Sequence, residues 1–359
     1  MRDPCVQTTN TDPAGTIVVA GGKPLLTVRG LRTSFPLDRG VLKAVDGVDF
    51  DIACGETAAL IGESGSGKSM FAHSLLQVLP KPGRIDGGAI ILHRPGAPPT
   101  DIAALPRNSR EMRAIRGKSI AMVFQEPMTS LSPVHTIGNQ IVEAVLLHDT
   151  SDRRRARAIA IAMLEKVGIS NAPLRFRAYP HQLSGGMRQR AMIAMALVCR
   201  PALLIADEPT TALDVTVQAQ ITELIRELQA EIGMSVLYIT HDLGVVAGIA
   251  DRVSVMYLGR IVESAPTREL LENPLHPYTV GLLKAVPRLG KASGVRLEAI
   301  PGVVPQPIDL PCQCSFRPRC PAARSGVCDR AVPAMHEASP GHRVRCFLWS
   351  DDAEGAPHG

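Results

Sequence analysis

Eight consecutive residues, Gly62-Glu63-Ser64-Gly65-Ser66-Gly67-Lys68-Ser69, carry the spacing G-x-x-x-x-G-K-[ST]. Glycines so spaced let the backbone curl until successive N–H groups point at phosphate oxygens. A helix opening at this point adds the positive end of its dipole. Lys68 is then the residue that reaches the outer phosphates, and the Ser69 hydroxyl the one that coordinates Mg²⁺. A second stretch, Leu203-Leu204-Ile205-Ala206-Asp207-Glu208, is an apolar run ending in two carboxylates. Asp207 suits Mg²⁺, directly or through water. Glu208 could position or deprotonate an attacking water. Alone, this run reads as a strand capped by exposed acids; the phosphate loop upstream favours the chemical reading.

The elements that must position these residues follow from local pattern. Thr57 to Ile61 is a short apolar run, as in a buried strand, and Met70 to Val78 reads as a helix. The phosphate loop therefore joins a strand to a helix, the context its chemistry needs. Val28 to Gly47 reads as short strands separated by turns, and Val48 to Ile52 alternates as a half-buried strand does. Helical spacing marks Ile141 to Leu147, Arg155 to Val167, Met187 to Val198, Val215 to Ile232 and Leu243 to Ile249. Pro201 to Ala206 and Ser235 to Thr240 read as buried strands, and Val253 to Tyr257 pairs with Arg260 to Ser264 around Leu258-Gly259. Alternating strands and helices imply a parallel-rich sheet with a helical insertion.

Composition bounds the function. The 359 residues are 45% hydrophobic, too apolar for a chain disordered throughout. Only 3% are aromatic, which argues against single-strand nucleic-acid binding by stacking, and a net charge of +5 does not require nucleic acid. No stretch reaches the roughly 18 apolar residues that span a bilayer. The longest run, Ala191 to Cys199, stops at Arg200, and the first 23 residues lack the pattern of a secretory signal. Five of the eight cysteines lie beyond residue 311, and such clustering in a reducing compartment favours metal over disulfides. Cys54 and Cys199 read as small buried hydrophobes, and Arg153-Arg154-Arg155 with Arg157 as a solvated helix face.

Between the two phosphate-linked stretches lies Leu183-Ser184-Gly185-Gly186-Met187, followed by Arg188-Gln189-Arg190. With it the sequence resembles the nucleotide-binding subunits of ABC transporters, Met standing where Gln is commonest. The resemblance implies an α/β P-loop NTPase fold of the ABC-cassette type, a RecA-like core with an antiparallel β subdomain and a helical subdomain at about 126–200. It implies that ATP and Mg²⁺ bind between two cassettes, with Ser184, Gly185 and Gly186 facing nucleotide held by the opposite subunit. Gln125 resembles the Q-loop glutamine, a Mg²⁺ and water contact, and His241 the switch histidine at the γ-phosphate. Asp214 resembles the D-loop aspartate, and Phe35 is the best-placed aromatic to stack on adenine. Catalysis is thus expected from Glu208, His241, Gln125 and Lys68, and nucleotide binding from Phe35, Gly62 to Met70, Ser184 to Gly186 and Asp214. Mg²⁺ is expected on Ser69, Asp207 and Gln125.

The stretches Phe124 to Pro133, Asp207 to Gln218 and Asn273 to Thr279 look like the oligopeptide/dipeptide importer branch, nickel importers included, and its D-type subunit. That resemblance implies an ATPase on the cytoplasmic side of the cell membrane, energising solute import. Its expected partners are two permeases, a sister ATPase (or a second copy) and, indirectly, a substrate-binding protein, with no nucleic acid. A soluble ABC ATPase without a permease is the rival reading; one phosphate loop and one signature argue against it. The expected domains are a flexible leader at 1–23, the cassette at 24–289 and a C-terminal extension at 290–359. In the extension, Cys314, Cys320, Cys328 and Cys346 resemble a cysteine module that can hold a [4Fe–4S] cluster. Four thiolates suit such a cluster or Zn²⁺, and the spacing does not choose between them or exclude Cys312 as a substitute.

Overall fold

The computed structural model describes residues 22–125, 130–211, 213–285 and 300–349. The leader up to residue 21, the stretch 126–129 after Gln125 and the domain boundary expected near Leu289 lie outside the described residues. The chain forms two compact units.

The first unit draws on the chain up to Asp51, Ala58–Ala103 and the chain from Thr240. Strands Pro24–Leu37 and Gly40–Ala53 are 14 residues each, and they form an antiparallel sheet with Arg84–Leu92 and Thr100–Asp101. Of the turns expected inside 28–47, one stands, Asp38-Arg39 between the two strands; the other polar interruptions are irregularities within continuous strands. Gly30 and Gly47 have positive φ, and the register slips between Arg29 and Thr33. Such bulges sharpen the twist without ending a strand.

The other strand set in this unit holds Thr57–Ile61, whose pairing with Arg252–Tyr257 is parallel from Ala58 onward. Arg252–Tyr257 pairs antiparallel with Arg260–Pro266, the hairpin read from the sequence. Arg260–Pro266 pairs in turn with His342–Val344, and that with His336–Ser339, so the C-terminal segment continues the sheet. Ala59, Ile61, Val253, Val255 and Tyr257 share one core with Cys314 and Phe316.

The second unit is Ile52–Thr57 and Ala104–Ile239. Strands Ile120–Val123 and Leu203–Asp207 pair in parallel, and so do Leu203–Asp207 and the following strand from Ser235. All four residues of the first and all five of the second are buried, as expected when a parallel sheet is covered on both faces. Helices Ile137–His148, Arg153–Lys166 and Gly185–Leu197 pack on one another, the helical insertion read from the sequence. Their starts are capped by Thr136, Asp152 and Ser184 side chains. Among the described residues no helix is long and apolar enough to cross a membrane.

Candidate functional site

In the first unit the loop after Ile61 turns into the helix Lys68–Leu75, which starts two residues before the sequence expectation because Gly67 supplies a left-handed N-cap. Gly62 and Gly67 are demanded by the fold. A Cβ on Gly62 would lie 2.3 Å from the Met256 carbonyl oxygen, and one on Gly67 2.3 Å from that of Ala44. Their φ angles, +155° and +106°, are those L side chains rarely adopt. Lys68 is buried, and its Nζ donates to the carbonyls of Gly62 (2.8 Å) and Glu63 (3.0 Å). The Ser66 hydroxyl is buried and has no hydrogen-bond partner among the described residues. Ser64 and Gly65 are exposed, and Ser69 and Met70 half-buried. Phe35 is half-buried with its ring against Gly83. His241 is exposed after the strand Ser235–Thr240.

Sequence reasoning missed what braces this loop. The Glu63 carboxylate is gripped by both Nη atoms of Arg319, at 2.7 and 2.9 Å, and the Glu63 N–H donates to the Tyr278 hydroxyl at 2.8 Å. The ion pair with Glu63 holds the Arg319 guanidinium above its ordinary range, and burial pushes the Tyr278 hydroxyl up. One signal was present: an acid inside a loop read as phosphate-binding calls for a cation beside it.

In the second unit Leu203–Asp207 delivers a buried Asp207 at its end. Glu208 follows at φ +46°, a left-handed backbone that costs a non-glycine residue about 1–3 kcal/mol and collects at functional positions. Its N–H donates to the Ile239 carbonyl at 2.9 Å. Its Oε2 accepts from Gln125 Nε2 at 3.2 Å and from the Thr211 hydroxyl at 2.9 Å. Gln125 and Glu208, 83 residues apart, are thus brought together; Thr211 was not singled out in the sequence. Ser184 caps the helix Gly185–Leu197 by accepting from the Met187 N–H, and Asp214 caps Val215–Ile232 by accepting from that of Val217. The two starts adjoin: the nearest neighbours of Gly185 and Gly186 are Leu213 and Val217. The Gln189 side chain anchors the signature helix to the Pro209 carbonyl.

The cysteine expectations divide. Cys314, Cys320, Cys328 and Cys346 line one cavity of about 10 Å³ with His276 and Phe316, and Cys312 does not line it. Burial raises the thiols of Cys314 and Cys320 and pushes that of Cys346 up to about 12. Yet among the described residues no group of three or more His, Cys, Asp or Glu is placed to hold a metal ion, so neither the iron–sulfur nor the zinc expectation gains support from placement. The four sulfurs face one space without forming a ligand shell. Cys54, read as buried, is exposed, because it sits at the turn before Gly55, whereas Cys199 is half-buried.

Comparison with known proteins agrees with this geometry. Residues 45–211 match the ABC transporter family model, and 262–328 match the oligopeptide/dipeptide transporter C-terminal region. A protein of Brucella melitensis named as a peptide import ATP-binding protein is 52% identical over 92% of this chain and 99% of its own. The dipeptide transport ATP-binding protein DppD of Bacillus subtilis is 47% identical over 92% and 97%. The oligopeptide transport ATP-binding protein OppD of Salmonella typhimurium is 47% identical over 90% and 93%. Among solved structures, the dimeric bacterial ABC transporter cassette MJ0796 superposes with a TM-score of 0.59 at 25% identity, covering 68% of this chain and 99% of its own. The loop 62–69, the helix start 184–186 and the acidic strand end 207–208 all lie within the stretch matched to the ABC transporter model. This protein belongs to the ATP-binding subunits of ABC transporters, in the oligopeptide/dipeptide branch, and is an ATPase of that family.

Proposed function

We propose that this subunit hydrolyses ATP to energise import of di- or oligopeptides, working as a peripheral partner of two permeases. The observation that carries the reading is the presence in one chain of the cassette and of the oligopeptide/dipeptide C-terminal region. Relatives named for dipeptide and oligopeptide transport align over nine-tenths of it.

Nucleotide phosphates are held by the amides of Gly62 to Ser69 and by Lys68, with the buried Ser66 hydroxyl as a further donor, and Phe35 stacks on adenine. Ser69, Asp207 and Gln125 are the proposed Mg²⁺ ligands, the ion supplying charge neutralisation. Glu208 accepts a proton from the attacking water or orients it, with Gln125 and Thr211 fixing its carboxylate. His241 addresses the γ-phosphate. The work is positioning and electrostatics. Ser184, Gly185, Gly186 and Asp214 serve the opposite cassette, and Val215, 83% exposed beside them, suits a surface that a partner covers. The partner cassette is a sister ATPase or a second copy. We place the change from cassette to extension near residue 290.

For the extension, Cys314, Cys320, Cys328 and Cys346 are the proposed holders of a soft metal group such as a [4Fe–4S] cluster, on their donor chemistry and shared cavity alone. The group would supply a structural crosslink, and loading would draw the sulfurs together and remove protons that burial retains.

The test is an anaerobic affinity purification of the tagged full chain from detergent-solubilised native membranes, with co-purifying proteins identified and iron and zinc measured. Two multi-span permeases are expected. Recovery of ribosomal or DNA-bound partners instead would overturn the importer reading and leave the ATPase assignment standing.

A further inference from the structure

The phosphate loop carries a carboxylate at its second position, where nucleotide phosphates would repel it. The structure commits that carboxylate to a cation. Arg319 takes both Glu63 oxygens in a two-pronged grip, 256 residues along the chain. The Arg319 side chain is 4% exposed and the Glu63 side chain 28%. The rest of the guanidinium is also committed: Nε donates to the Pro301 carbonyl at 2.8 Å, and Nη2 makes a longer contact with that of Gly302 at 3.4 Å. Its face lies 5.8 Å from the centre of the Tyr257 ring. A planar fork anchored at this many points has one available geometry, which Lys could not reproduce.

The same residue of the loop is held a second way. Its N–H donates to the hydroxyl of the fully buried Tyr278, whose ring packs on Phe316 at 5.3 Å and on Tyr257 at 4.7 Å. Phe316 precedes and Arg319 ends one short 3₁₀ turn, Arg317–Arg319, immediately before Cys320. Backbone and side chain of Glu63 are therefore both fixed by residues that follow the cassette's own motifs. The Glu63 carbonyl in turn accepts from Lys68 Nζ. Fixing Glu63 thus fixes the resting place of the residue that meets the phosphates.

We propose that Arg319 is a positioning residue for nucleotide binding: from the C-terminal extension it neutralises Glu63 and holds the phosphate loop in its binding shape. This rests on the reading of Gly62–Ser69 as the ATP site. Without Arg319, Glu63 becomes an unpaired carboxylate at the edge of the phosphate cradle, so ATP affinity suffers first and turnover at saturation less.

The test uses the full-length protein and measures the Kd of a fluorescent ATP analogue, KM and kcat for ATP, and Tm. Arg319→Ala should raise Kd and KM about tenfold or more with a smaller change in kcat, and Arg319→Lys should fall between it and wild type. Adding Glu63→Ala to Arg319→Ala should recover much of the lost affinity, because the stranded carboxylate is gone. A merely structural Arg319 would show no such recovery, so a double variant as weak as Arg319→Ala overturns the proposal. So does an Arg319→Ala protein with unchanged Kd and KM. If Arg319→Ala does not fold, the same comparison is made with the neutral, longer Arg319→Gln, alone and with Glu63→Ala. Failure of the wild-type chain to bind ATP would sink the nucleotide reading itself, and the proposal with it. Wild-type binding with indifferent variants sinks the proposal alone.

Discussion

Two glycine-led turns in this molecule each open a helix, and they are built on opposite principles. At Gly62–Ser69 the glycines answer to their own chain: two of them could not carry a Cβ without striking a backbone carbonyl, and their φ angles are those of glycine. At Ser184–Met187 neither constraint holds. Gly185 and Gly186 have no positive φ, and a Cβ on Gly185 would touch only the Leu213 methyl at an ordinary 3.8 Å. The first turn is shaped by what already surrounds it. The second has room at Gly185, whereas a Cβ on Gly186 would lie 3.3 Å from a Val217 methyl; space does not demand the first of these glycines, and the proposed approach of a nucleotide held by a partner cassette would.

Substitution at the first turn should therefore be the most damaging. Gly67→Ala places a methyl 2.3 Å from the Ala44 oxygen at φ +106°. We expect a stability loss of about 3 kcal/mol, of the order that cramped or strained backbone sites produce. ATP binding should be lost with it. Thermal melting and nucleotide titration check this, and a Gly67→Ala protein with wild-type Tm and Kd would end the contrast.

Gly185→Ala sharpens it. The methyl has space, so stability should stay within about 0.5 kcal/mol of wild type, as for surface changes away from special features. Binding to the isolated subunit should also persist. ATPase activity of the assembled transporter should nevertheless fall at least about tenfold, ~1.4 kcal/mol of transition-state stabilisation. Equal loss of stability and activity would mean that the signature glycines serve their own helix after all.

How far each region was legible follows from the range of the forces that shape it. Thr57–Ile61, Ser235–Thr240, Val215–Ile232 and Leu243–Ile249 match their expected bounds, because an unbroken apolar run or a clean 3.6 period is a local signal. The loop Gly62–Ser69 was placed between a strand and a helix for a related reason: its motif is packed into eight neighbouring residues. Gln125 and Glu208 were each singled out in the sequence, whereas their hydrogen bond, and the Thr211 hydroxyl that completes it, depend on how strands align. The strands Pro24–Leu37 and Gly40–Ala53 were broken up in the reading because a bulge glycine and a turn glycine look alike in one dimension. Cys54 misled because apolar character says nothing of whether a turn lies beneath it. The grip of Arg319 on Glu63 had only the oddity of an acid beside phosphates to announce it.

The contrast also predicts a pH dependence on one side only. The first turn is braced through Tyr278, whose N–H donates to Nδ1 of the buried His276 at 3.0 Å. Burial lowers the His276 imidazole from 6.5 to about 3, so it is neutral in the folded protein over the ordinary pH range. The unfolded chain takes up a proton there near pH 6.5 and the folded chain does not until about pH 3. Stability therefore falls as pH drops through that window, by about 1.4 kcal/mol per unit well inside it. Between pH 7 and pH 6 the loss should stay under about 1 kcal/mol, the smallest of these effects. Replacing His276 by Asn offers an acceptor that does not titrate. Chemical denaturation of His276→Asn at several pH values should give a flatter profile below pH 6.5 than wild type. Hydrogen exchange should show the Glu63 and Tyr278 amides losing protection in acid before those of Ser184–Leu197. Parallel profiles in the two proteins, or simultaneous loss at both turns, would show that His276 is no part of what makes the first turn rigid.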